Sequence, residues 1–234
     1  MKIGLAVYES RNGDLEFNIS QIEKALQAAC GSVDLLCFGE AFLQGFDSLS
    51  WQFQRDRELA VSRDSETMRR LCELTLRYGT DLLFGYFERE GDSLYSSCAV
   101  LEKGKLIHNY RRISRGWKEP EADEHYREGC EAPGFVYRDR RFQVALCGDL
   151  WDHTECFRTD EILLWPIYVN YSLEDWAECA QEYAERARLA ADRALAVNPL
   201  SEEPRSLGGA FDFRGGRIAD SLPFDREGIL TVEL

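Results

Sequence analysis

Apolar residues fall along the chain in two kinds of run. Residues 2–7 (KIGLAV) form an unbroken aliphatic stretch, which predicts a strand buried on both faces. A turn follows at Gly13-Asp14. Ile19, Ile22, Ala25, Leu26 and Ala29 then recur at helical spacing, with Asn18 placed to cap the helix and Gly31 to stop it. Residues 33–38 are a second apolar strand, and it runs directly into Gly39 and Glu40. From there to Arg63, aromatics and charges alternate without a period. A second helix is predicted over residues 66–78, closed by Gly79, and a strand over residues 81–87. Residues 94–101 and 105–110 read as a hairpin around Lys103-Gly104.

The second half begins with residues 111–134, polar, charged and too long for an ordinary connection, which marks a functional loop. Strands are predicted at 135–137, at 142–146 (ending on Cys147) and at 162–165. A helix over residues 173–192 and short strands at 195–197, 208–213, 217–220 and 229–232 complete the chain. Alternation comes first and hairpins later. With no repeat or Pro/Gly linker to divide it, the chain of 234 residues is expected to be a single α/β domain over 1–234. Strands this apolar require helices packed outside them.

Composition narrows the function. There are 28 Lys plus Arg against 42 Asp plus Glu, a net charge of −14. That charge repels phosphate backbones and anionic lipid, so neither nucleic acid nor a membrane is expected as a partner. No run is apolar for long enough to span a bilayer, and the N-terminus has no signal-peptide pattern. The eight cysteines make no CxxC pair and have only three histidines to join them. Neither a zinc site nor a disulfide framework is therefore expected; reduced thiols in the cytoplasm fit the spacing.

Chemistry concentrates where apolar strands end. Leu35-Leu36-Cys37-Phe38-Gly39-Glu40 delivers a carboxylate to the edge of a buried strand, where desolvation raises its pKa toward that of a neutral-pH base. Val144-Ala145-Leu146-Cys147-Gly148 delivers a thiol, followed by a glycine whose backbone N–H is suited to an oxyanion. A third such strand closes on Leu164-Trp165-Pro166. Lys118, beside Trp117 in the long loop, is a candidate cation. Most cysteines are inert core residues, most loop lysines are solvated, and a strand-end glutamate is most often a turn carboxylate. The candidates gain weight only as a set. Cys147 with His153 is a competing thiol arrangement.

These segments together resemble the nitrilase, or carbon-nitrogen hydrolase, superfamily. Phe38-Gly39-Glu40-Ala41-Phe42-Leu43-Gln44-Gly45-Phe46 resembles the family's general-base segment. Val144 to Trp151 resembles its nucleophile segment, a strand ending in Cys-x-Asp. Ile107-His108-Asn109-Tyr110-Arg111-Arg112 resembles the strand leading to its lysine, and Leu195–Asn198 with Gly208–Phe213 its closing strands. The segments fall in the family's order over nearly the whole chain. The resemblance implies a four-layer α-β-β-α sandwich that assembles as a homodimer or larger homo-oligomer. It also implies, with no metal or other cofactor, hydrolysis of an amide, carbamoyl or nitrile carbon–nitrogen bond of a small molecule.

The roles carried over are Glu40 as base, Cys147 as nucleophile and the Gly148 N–H as an oxyanion donor. The pattern departs at its lysine: the matching position holds Arg112. Lys118, the only lysine in the loop that follows, is expected to take the role, with Arg112 as the alternative. Glu124 is expected to be the family's additional, steadying glutamate, because Tyr126 and Gly129 follow it. The arginine also leaves open a catalytically silent homologue that binds or assembles. Trp51, Trp117, Tyr126, Trp151 and Tyr168 are pocket candidates suited to a flat or apolar group. The acidic residues 119–124 suit a cationic one instead.

Overall fold

The computed structural model describes residues 1–234. The elements in chain order are β1 (Lys2–Val7), α1 (Leu15–Ala29), β2 (Leu35–Cys37), α2 (Phe53–Leu59), α3 (Glu66–Tyr78), β3 (Asp81–Glu90), β4 (Ser93–Glu102) and β5 (Lys105–Arg111). There follow β6 (Phe135–Tyr137), β7 (Arg140–Val144), α4 (Asp149–Asp152), β8 (Ile162–Pro166), α5 (Leu173–Arg188), β9 (Arg193–Glu202), β10 (Arg205–Arg214), β11 (Arg217–Leu222) and β12 (Gly228–Glu233).

Two six-stranded sheets result, ordered β12-β1-β2-β3-β4-β5 and β11-β10-β9-β8-β7-β6. They pack face to face, with β1 against β9 and β10. Strand alternation decides which side chain goes where. Ile3, Leu5 and Val7 of β1 join Cys98 and Val100 of β4 and Tyr110 of β5 in a core shared with the second sheet. Ala6, Leu36, Phe84, Tyr86, Ala99 and Leu101 point outward instead, onto α1 and α3. On the far side, Trp176, Tyr183, Ala184 and Ala187 of α5 cover the second sheet. This is the expected four-layer sandwich.

Several local expectations shift. α1 begins four residues early, because the Asp14 side chain accepts from Phe17 N and caps it. Asn18 lies inside the helix, buried, and donates to Arg11 O and Leu43 O. α3 ends as expected, with Gly79 left-handed at φ 65°. α5 stops at Arg188, short of the predicted end, and β9 runs longer than predicted at both ends.

Candidate active site

Glu40 is held where the two sheets meet. Its N–H donates to Ile167 O (3.1 Å), just beyond β8, while Gly85 N in β3 donates to Gly39 O (3.1 Å). The approach is so close that a side chain at Gly39 would sit 2.4 Å from Pro199 Cδ, and one at Gly85 would sit 2.6 Å from Glu40 Cα. Glu40 Oε1 accepts from Ser96 Oγ (2.9 Å) and Arg112 Nη1 (2.8 Å). Oε2 is buried and has no partner. Burial raises the pKa of Glu40 above the usual carboxylate range, against the pull of Arg112 and Ser96.

Arg112 is the first residue past β5. Its N–H donates to Ser96 O and its carbonyl accepts from Gly129 N, both at 2.8 Å, so the long loop returns to fix it. The guanidinium is 2% exposed. Nε donates to Ser114 Oγ (2.7 Å) and Nη1 to Glu40, leaving Nη2 without an acceptor. Burial opposes the charge, but Glu40, Cys147 and Asp149 keep it firmly protonated.

Cys147 follows β7 in a strained left-handed turn at φ 34°. The strain is over-determined: Cys147 N donates to Pro166 O (3.0 Å) and Trp165 Nε1 donates to Cys147 O (3.0 Å). Sγ approaches Tyr168 O at 3.6 Å, and the residue as a whole is only partly buried. Dense packing around it and the Glu40 carboxylate push its pKa up to about 12, against Arg112. The thiol is thus the resting form, and it needs a base to react. The Gly148 N–H makes no hydrogen bond.

Asp149, fully buried, ties these parts together. Oδ1 accepts from Ile113 N (3.2 Å) and Ser114 N (2.9 Å). Oδ2 accepts from Leu146 N (2.8 Å) and Tyr110 Oη (2.5 Å). Sequence reasoning passed over Asp149, Ser96 and Ser114. The signal for Asp149 was present, as an acid two residues beyond a strand-end cysteine.

The structure therefore brings Glu40, Arg112, Cys147 and Gly148 together and leaves Lys118 and Glu124 out. The Lys118 ammonium is paired with Glu128 and donates to Tyr126 O (3.0 Å). Glu124 is exposed, and only its backbone carbonyl is bonded, to Arg127 Nε. Besides Glu40, Asp149 is the carboxylate whose charge favours the protonated guanidinium. His153 makes no side-chain hydrogen bond to Cys147; its N–H continues the turn of α4. Trp51, Trp117 and Tyr126 do gather, with ring centroids 5.2 to 6.5 Å apart. Tyr168 stacks on Phe46 (4.6 Å), and Trp151 meets Tyr183 (5.3 Å). No group of three or more His, Cys, Asp or Glu is arranged to hold a metal.

The family model described as carbon-nitrogen hydrolase matches residues 2–153. This chain belongs to the carbon-nitrogen hydrolase family. A nitrilase of Alcaligenes faecalis, described as arylacetone-specific, is 30% identical to it over 273 residues, covering 96% of this chain and 74% of the relative. An (R)-stereoselective amidase from a Pseudomonas species is 24% identical over 64% of this chain and 52% of its own length. An arylacetonitrilase of Aspergillus niger is 28% identical over 43% of this chain and 32% of its own length. The chain thus spans from about a third to three quarters of these three relatives. Among solved structures, a cysteine-to-serine mutant of the Nesterenkonia AN1 amidase, of the nitrilase superfamily, superposes with TM-score 0.83. It is 18% identical and covers all of this chain and 91% of that one.

Proposed function

We propose that this carbon-nitrogen hydrolase cleaves the amide or nitrile bond of a small molecule through a thioester on Cys147, with Glu40 as base and Arg112 as the cation. The observation that carries the reading is a buried carboxylate oxygen with no donor, Glu40 Oε2, on the group that also holds Arg112. Buried polar atoms are normally satisfied, and here a proton from the reacting groups would complete it. Arg112 Nη1 and Nε are engaged, and Nη2 makes no hydrogen bond that would keep it from an oxyanion.

For an amide, Glu40 takes the thiol proton and Cys147 Sγ attacks the carbonyl carbon. The oxyanion is received by Arg112 Nη2 and the Gly148 N–H. The carbon–nitrogen bond breaks as Glu40 returns the proton to the departing ammonia, leaving a thioester. Water then loses a proton to Glu40 and attacks. The carboxylic acid departs, the proton returns to sulfur, and the sum is amide plus water to acid plus ammonia. In the Nesterenkonia amidase, one mutant carries acrylamide joined to the active-site cysteine by Michael addition, so that cysteine acts as a nucleophile, although the bond formed there is not a thioester. Tyr168, whose carbonyl meets Cys147 Sγ and whose ring stacks on Phe46, favours a flat or apolar acyl group.

The test is ammonia release from a panel of primary amides, carbamoyl compounds and aliphatic and aryl nitriles. Acid and ammonia should form in equal amounts from at least one class and vanish in Cys147→Ala. Release that survives in Cys147→Ala, or no release from any class, defeats the reading.

A further inference from the structure

We infer that the site is built around a guanidinium, so that arginine at position 112 is a required cation with its own seat, not an interchangeable positive charge. The inference rests on the reading of Glu40, Arg112 and Cys147 given above. A guanidinium is planar and broad, and needs room at its far end as well as acceptors in its plane. Two glycines supply the room. A Cβ at Gly148 would lie 2.4 Å from Arg112 Nη2, and one at Gly116 would lie 3.0 Å from it. Gly148 has an ordinary helical conformation (φ −63°, ψ −11°), so space is what its missing side chain provides.

Two acceptors supply the plane. Ser114 Oγ takes Nε at 2.7 Å and Glu40 Oε1 takes Nη1 at 2.8 Å. Asp149 then locks the seat to the nucleophile: it accepts from Ser114 N on one side and from Leu146 N, next to Cys147, on the other.

A lysine here would fit poorly. Its nitrogen falls at the position of the arginine Cζ, one bond short of Nη2. It has no donor at Nε, so the buried Ser114 hydroxyl loses its partner. A single ammonium could hold Glu40 or approach Gly148, and the space between the two glycines would be left unfilled.

Chemical rescue tests this. Arg112→Lys and Arg112→Ala should each lose on the order of a hundredfold or more in kcat/KM. Guanidinium at millimolar, non-denaturing concentration should restore part of the Arg112→Ala rate, and methylammonium should not. Gly148→Ala should fall as far as Arg112→Ala and resist rescue, because the added methyl occupies the seat. Arg112→Lys within about threefold of wild type (under 1 kcal/mol), or equal rescue by methylammonium, overturns the inference. Iodoacetamide alkylation of Cys147, located by mass spectrometry, gives a readout that needs no substrate. If no carbon–nitrogen substrate is turned over, the reading of the function fails. The seat is then judged on alkylation alone, and wild-type alkylation rates in Arg112→Lys overturn it.

Discussion

Glu40 and Glu88 are built from the same parts and end in opposite states. Neither has exposed surface. Each is met by a serine of β4 (Ser96 and Ser97) and by an arginine at the end of β5 (Arg112 and Arg111). Neighbouring residues on a strand point to opposite faces, so one serine–arginine set faces the partner sheet and the other faces outward. Glu88 is saturated. It accepts from Ser97 Oγ, Asn109 Nδ2 and both Nε and Nη2 of Arg111, and it pairs with Arg63 Nε at 3.0 Å. Burial alone would raise its pKa, but Arg111, Ser97 and Asn109 bring it below the ordinary value. Glu40 has one arginine, one serine and an empty oxygen, and its pKa is raised. The complete carboxylate is a strut. The incomplete one is available for chemistry.

A pair of amide substitutions separates them, and the largest effect is expected at Glu40. Glu40→Gln removes the base and should lower kcat/KM by roughly a hundred to ten thousandfold. It also leaves the buried Arg112 without its counter-charge, but ionised Glu40 itself costs stability as pH rises from 4.5 through its raised folded value, so the loss of stability should be smaller than in Glu88→Gln. The same shift places the acid limb of the wild-type kcat/KM profile above pH 4.5, the ordinary value for the group. A limb at or below that value contradicts the assignment. Glu88→Gln should leave turnover per folded molecule intact and destabilise by about 3–5 kcal/mol, as breaking one side of a buried pair does. At about 2–4 °C per kcal/mol in a chain of this size, calorimetry would resolve it readily. The sign with pH is fixed. Glu88 is depressed below 4.5, so its contribution is fully present above that pH and fades as pH falls through its folded value.

Arg111→Lys probes the outer set more gently. It removes a two-pronged contact to Glu88 and a guanidinium 3.9 Å above the Tyr95 ring. A loss of about 1–3 kcal/mol is expected, with kcat/KM unchanged. If activity falls with stability, the two faces are not independent.

The halves of this comparison were unequally legible in the sequence. Glu40 and Cys147 stand out because apolar runs stop on them, and a strand end in a buried sheet has few places to go. Arg112 was ambiguous, since nothing local says whether residue 112 or residue 118 reaches Glu40. Backbone bonds from Arg112 to Ser96 and from Gly129 to Arg112 decide it, and these join distant segments. Glu124 failed because it is exposed, and the residue of that stretch that turns inward is Tyr126. α2 has no clean apolar period and was missed. Glu88 was invisible, because β3 was expected to stop at Phe87, and the charged residues that follow it (Glu88-Arg89-Glu90) read as a solvated turn.

His108 supplies a third case, a partly buried ionisable group whose inner nitrogen has no partner. Alternation along β5 puts it on the same face as Tyr110, and its ring stacks on Phe135 at 4.7 Å. Nε2 is buried and unbonded. With no acid nearby to hold a proton, burial lowers its pKa to about 4 from 6.5. Between those values the unfolded chain binds a proton that the folded chain refuses. Stability conferred by the neutral ring is therefore complete above 6.5 and drains away as pH falls toward 4. His108→Phe keeps the stacking and removes the titration. Its melting temperature should match wild type within a few degrees near pH 7 and decline less on acidification to about pH 5. Parallel declines would mean that the ring takes up its proton in the folded state. Pairing, more than burial alone, would then no longer account for the difference between Glu88 and Glu40.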